Sequence, residues 1–142
     1  MRKTIFIAAC MSLVLASCGK DAGNVEIKTQ GAKITTAGTG KSVALPDKFP
    51  KDVPIINGGA VQLATVMEDK VTVMITAPAP AAEAVKYYQD GLTAQGWKVG
   101  ATMAAGTMNL MSAEKENRTC GVQVAPTKEG SAISITVGTK GK

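Results

Sequence analysis

Histidine does not occur anywhere in the 142 residues. With it go the commonest general base, the commonest side-chain metal ligand and the usual partner of a nucleophilic serine or cysteine. Aromatic residues are scarce: two Phe, two Tyr and one Trp. Any core must therefore rest on Val, Ile, Leu and Met. Three cysteines are too few for a disulfide framework. The positive charges are scattered, with no basic run or basic helix face, which excludes a nucleic-acid footprint. The longest apolar run, Ile5 to Ala16, has 12 residues, well short of the ~20 a membrane-spanning helix needs.

That run follows Arg2 and Lys3 and ends in Leu15-Ala16-Ser17-Cys18. A positive start, a short apolar stretch and small residues before a cleavage point are the parts of a secretory signal. The last four residues resemble the lipobox of bacterial lipoproteins, in which the cysteine receives a diacylglyceryl group. The resemblance implies cleavage between Ser17 and Cys18, lipidation at Cys18 with palmitate-type chains, and a partner that is the membrane itself. Two or three acyl chains, at ~0.8 kcal/mol per buried CH₂, hold a protein almost permanently. Gly19 follows the cysteine where enteric bacteria use Asp for inner-membrane retention, so the resemblance implies the outer membrane, facing the periplasm. Without residues 1–17 the net charge falls from +5 to +3 and 125 residues remain, enough for one domain and a tether.

Residues 18–44 carry the lipidated cysteine and a Gly-, Thr- and Lys-rich segment that reads as a flexible tether. Within it, Val25 to Lys28 and Lys33 to Thr35 alternate weakly about Gln30-Gly31, so a short hairpin competes with the tether. Thr35 to Ser42 ends in Gly-Lys-Ser like a phosphate-binding loop. The motif needs Gly where Thr35 stands and a helix after the lysine, and Val43-Ala44-Leu45-Pro46 cannot supply it.

From Leu45 to Ile55 a proline recurs every fourth residue. This predicts an extended, polyproline-like strap pinned by Phe49, Val53 and Ile55. The pattern Leu-Pro-x-x-Phe-Pro-x-Asp-Val-Pro-Ile, followed by a hairpin, a helix ending in Gly-Trp and further strands, resembles a broad set of small bacterial lipoproteins. The resemblance spans residues 45–138 and brings no activity with it. Where that set has Tyr-Pro-Gly-Ala, this chain has Ile56-Asn57-Gly58-Gly59-Ala60.

The domain is expected over 45–138, with 139–142 as a tail. Val61 to Met67 and Val71 to Thr76 alternate as a hairpin about Glu68-Asp69. Pro78 and Pro80 precede a helix over Ala81 to Gln95 with Ala81, Val85, Tyr88 and Leu92 on one face. Gly96 suits a left-handed cap, and Trp97 is expected to fold back onto the helix end. Four further strands follow: Trp97 to Ala104, Thr107 to Ala113, Thr119 to Ala125 and Ala132 to Val137. The expected class is α+β: an antiparallel sheet of about six strands in the order β-β-α-β-β-β-β, with one helix on one face. In outline this is similar to helix-grip modules in an accessory lipoprotein of the outer-membrane barrel-assembly machine, an analogy of fold alone.

Chemistry has few candidates. Glu68, Asp69, Glu114 and Glu116 fall in turns and strand ends, where solvated charge is the default. Cys120 is the sole thiol left in the lipidated mature chain. It shares register with Val122 and Val124 on the face expected to be buried, which predicts an inert core residue. Met108 and Met111, at odd spacing on a strand, point to opposite faces and cannot chelate copper together. Tyr87 should face outward beside Tyr88. With Phe49 or Trp97 it could line a groove, but packing is the favoured role. No cofactor, metal or catalytic residue is expected. The expectation is a lipid-anchored, non-catalytic module that binds or scaffolds an envelope protein or cell-wall component. Its rivals are an envelope hydrolase using carboxylates and a Met/Cys copper or redox protein.

Overall fold

The computed structural model describes residues 23–38 and 41–140. Eight strands and one helix run in the order β1 (Val25–Thr29), β2 (Ala32–Thr36), β3 (Ala60–Met67), β4 (Lys70–Ala77), α1 (Ala81–Ala94), β5 (Lys98–Ala105), β6 (Met108–Lys115), β7 (Arg118–Thr127) and β8 (Gly130–Thr139). They form one antiparallel sheet ordered β1-β2-β3-β4-β8-β7-β6-β5. The fold is α+β as expected, but with eight strands rather than six. The additional pair comes from the stretch read as tether or hairpin. Its strands complete a sheet edge, with Ile34 opposite Thr65 and Thr35 opposite Ala64.

Alternation sets the core. Val71, Val73 and Ile75 on β4 face the same side as Val137, Ile135 and Ile133 on β8. Cys120, Val122 and Val124 on β7 continue the rows, and Met111 and Ala113 on β6 extend them. A one-residue slip in any of these pairs would turn the set to solvent, so burial fixes the register.

The helix lies across the β5–β8 half of this inner face. Ala84, Tyr88 and Leu92 are fully buried, one turn apart along its inward stripe. Gly96, at φ 79°, takes the left-handed position after the helix. Its N–H donates to the Thr93 carbonyl and that of Trp97 to the Leu92 carbonyl, each at 3.0 Å. This Schellman closure satisfies two terminal carbonyls and turns Trp97 back under the helix, where it is buried.

The strap fills the inner face beside the helix, in a conformation other than the extended one its prolines suggest. Phe49 N–H donates to the Pro46 carbonyl at 2.8 Å, Val53 N–H to the Pro50 carbonyl at 3.3 Å, and Gly59 N–H to the Ile56 carbonyl at 3.0 Å. These are successive four-residue turns. Pro46 and Pro50 open the first two, with the polar pairs Asp47-Lys48 and Lys51-Asp52 in their middle positions, and Ile56 opens the third. Closing each turn brings Phe49 and Val53 to the same side, and both are buried. Ile56 is buried with them, while Ile55 is only half-buried, so the third pin is one residue later than expected.

Candidate binding face

Ser17 and Cys18, the predicted cleavage and lipidation site, lie outside the described residues. Of the predicted chemistry candidates, Cys120 is 1% exposed. Burial, with a smaller contribution from Asp52, pushes its thiol up to about 12, which leaves it unreactive. Met111 is buried and Met108 exposed, on opposite faces. Glu114 pairs with Lys140 at 2.7 Å, and that hydrogen bond holds its carboxyl below the usual range. Among the described residues no group of three or more His, Cys, Asp or Glu side chains could hold a metal ion. No helix of the described residues is long and apolar enough to cross a membrane.

Tyr87 and Tyr88 both grip the strap. Tyr87 is half-buried rather than outward-facing, and its hydroxyl donates to the Ile55 carbonyl at 2.9 Å. The Tyr88 hydroxyl accepts from the Ile56 N–H at 3.4 Å, and burial raises its pKa to about 12. The rings meet edge to face, 5.4 Å apart at 84°.

Asp52, one of two acids in the strap with Asp47, ties it down at its other side, a role its sequence position did not signal. Arg118 donates to both carboxylate oxygens, at 3.1 and 2.7 Å, and Lys115 donates at 2.8 Å. Lys115 also reaches the Gln95 carbonyl at 2.8 Å, placing a cation at the negative end of the helix. The Trp97 indole N–H donates to the Asp52 carbonyl at 2.9 Å, and the Arg118 guanidinium stacks 5.0 Å from the Trp97 ring centre. The Arg118 hydrogen bonds, helped by Lys115 and opposed by partial burial, hold the Asp52 carboxyl at about 2. Every charge here already has a partner. The cluster is a clasp between strap, helix end and the β6–β7 turn.

Could a ligand enter between helix and sheet? Ala84, Tyr88, Leu92, Val73 and Ile135 are all 0% exposed. A cavity able to hold even one water would leave part of its lining accessible, so none of these five side chains lines one. Two grooves lie on the surface. One of about 370 Å³ runs between the β1–β2 hairpin and the strap, under Glu26, Lys33, Asp47 and Lys48. Another of about 680 Å³ sits at the sheet end by Gly58, Pro78 and Lys128.

The face of the sheet turned away from helix and strap is different in kind. Register assigns its rows. One runs Val25, Thr36, Leu63, Met74, Ser134, Gln123, Leu110 and Met103. The next runs Ile27, Ile34, Thr65, Thr72, Thr136, Gly121 and Ser112. A third holds Thr76, Ala132 and Ala125. None of the three carries a charge. Charged side chains enter only in the row at one end, with Lys70, Glu114 and Lys98. Thr72 and Thr136 share a hydroxyl hydrogen bond of 3.0 Å across the middle. Met74 and Met108 wall a cleft of about 150 Å³ floored by Ala125, Ala132 and Ser134.

The β1–β2 hairpin shows the polarity most clearly. Glu26, Lys28 and Lys33 stand on the strap side, where Lys33 reaches Glu26 at 3.1 Å. Val25 and Ile27 stand on the open side, 57% and 55% exposed. For a sheet with one buried face this is the reverse of the usual alternation.

A family model described as START domain-like matches residues 60–132, just over half of the chain. The chain belongs to the START domain-like family. The matched segment of this START domain-like protein runs from β3 through α1 to the start of β8, so the strap and the β1–β2 hairpin lie outside it. No curated protein and no solved structure matches the chain.

Proposed function

We propose that this START domain-like protein is a lipid-anchored module of the bacterial envelope that performs no chemistry and binds a protein partner through the open face of its sheet. The anchor is Cys18, freed by cleavage after Ser17. Gly19 after it favours the outer membrane, with the domain in the periplasm.

The observation that carries the binding reading is the reversed hairpin. Val25 and Ile27 are more than half exposed on the open side, while Glu26, Lys28 and Lys33, also solvent-exposed, stand on the strap side. Exposed β-branched residues on an uncharged face lower in free energy when a partner covers them, by ~25 cal/mol per Å² of apolar area removed from water. Exposed Val25, Ile27, Met74, Met103 and Met108, standing among uncharged Thr, Ser and Gln, support an interaction site on this face. The absence of histidine and the engagement of Asp52 with two cations speak against a hydrolase. Burial of Cys120 and the opposed directions of Met108 and Met111 speak against a copper or redox centre.

Fractionation tests the anchor. Wild-type protein should partition with membranes and a Cys18→Ala variant with the soluble periplasm. A variant that stays on the membrane overturns the anchor. For the face, Gln123→Glu should weaken recovery of the partner from solubilised membranes at least tenfold, and unchanged recovery overturns it.

A further inference from the structure

We infer that the partner of the open face is a second copy of this chain, packed face to face about a two-fold axis parallel to the strands. This rests on the reading of that face as a protein-binding surface.

Size is the first argument. Eight strands at ~4.8 Å spacing and three uncharged rows ~7 Å apart make a face of roughly 700 Å². Two such faces bury about 1,400 Å², within the range of a stable dimer. Charge is the second. A foreign partner would be selected by complementary charge, and three rows of this face offer none. Two uncharged faces meet without repulsion, and exposed Met74 and Met103 supply side chains that adapt to a facing surface.

Shape is the third. An axis along the strands at the sheet centre lays β1 of one copy over β5 of the other, and β4 over β8. Within the rows, three larger residues then meet small ones, while Leu63 meets Gln123 and Thr72 meets Thr136. Met74 falls over Ser134 of the second copy, Ile34 over Ser112, and Thr65 over Gly121. Exposed Val25 and Met103 cover each other at the two edges. The same axis puts both Val25 residues at one end of the dimer. Six residues lie between Cys18 and Val25, so the chain reaches at most ~25 Å from one to the other. Both anchors therefore fall within reach of the same membrane.

The test places a photo-cross-linking phenylalanine analogue at Thr136, near the proposed axis, in the full chain expressed in living bacteria. A homodimer band is expected, reduced more than tenfold by Met74→Glu and by Met103→Glu. Both sites are exposed, so each variant should keep the Trp97 emission of the buried indole. The same analogue at Lys86, on the outer side of the helix, should give no homodimer band. Cross-links from Thr136 only to proteins of other mass overturn the second copy and leave the binding face standing. No cross-link at all overturns both. Equal homodimer yield from Lys86 marks crowding and overturns the inference.

Discussion

Asp52 and Arg118 are joined by two parallel hydrogen bonds, 3.1 and 2.7 Å long, across 66 positions of sequence. The strap is held by this pair and by the apolar pins Phe49, Val53 and Ile56. Its stability should therefore depend on pH. The Asp52 carboxyl sits at about 2 against an ordinary 3.8. A lowered pKa means stability that is fully present above the ordinary value and is lost as pH falls from about 4 toward 2. The clasp is open to solvent on one side, so screening holds the contribution at about 1–2 kcal/mol. Asp52→Asn should lower the unfolding free energy at pH 7 by that amount and flatten the acid limb between pH 4 and 2. Urea titrations followed through Trp97 fluorescence will read both. An unchanged acid limb would show that the clasp contributes nothing.

Gly91 lies inside the helix, where alanine is better by about 1 kcal/mol on propensity alone. A Cβ there would stand 2.8 Å from Cγ of Pro54. We predict that Gly91→Ala destabilises by about 1 kcal/mol, because the strap must lift away. The double variant with Pro54→Ala should recover the loss, as denaturant midpoints would show. A stabilised single variant would mean that the strap yields freely.

Glu116 turns the β6–β7 hairpin at φ 54°, a left-handed conformation in which Cβ crowds its own backbone. Asparagine tolerates this region better. Glu116→Asn should raise stability by about 0.5 kcal/mol, visible as a higher thermal midpoint.

The Ser131 hydroxyl is fully buried, opposite Ala77, and has no hydrogen-bond partner among the described residues. Leaving such a group unpaired costs roughly 1–3 kcal/mol. Ser131→Ala should therefore be neutral or stabilising by up to about 1 kcal/mol. A loss of more than 1 kcal/mol would reveal a bound water as its partner.

The β3–β4 hairpin, the helix, the Gly96 cap and the last four strands were legible in sequence to within a few residues. Their apolar residues recur at one clear period and face one core. The β1–β2 hairpin was legible only as an alternative, because Val25 and Ile27 point away from that core and their alternation has nothing inside the domain to match. The turns of the strap were hidden for another reason. Prolines every four residues are compatible with an extended chain or with repeated turns, and only burial of Phe49 and Val53 decides between them. Asp52 could not be read at all as a clasp, since its partners Lys115 and Arg118 lie 63 and 66 positions away. The open face likewise needs register across eight strands before its lack of charge can be seen.

The anchor is tested most directly by intact-mass spectrometry of the protein extracted from membranes. The account predicts a chain that begins at Cys18 and carries diacylglycerol in thioether linkage, with or without a third acyl chain. A mature protein that begins elsewhere, or whose Cys18 is unmodified, would contradict it.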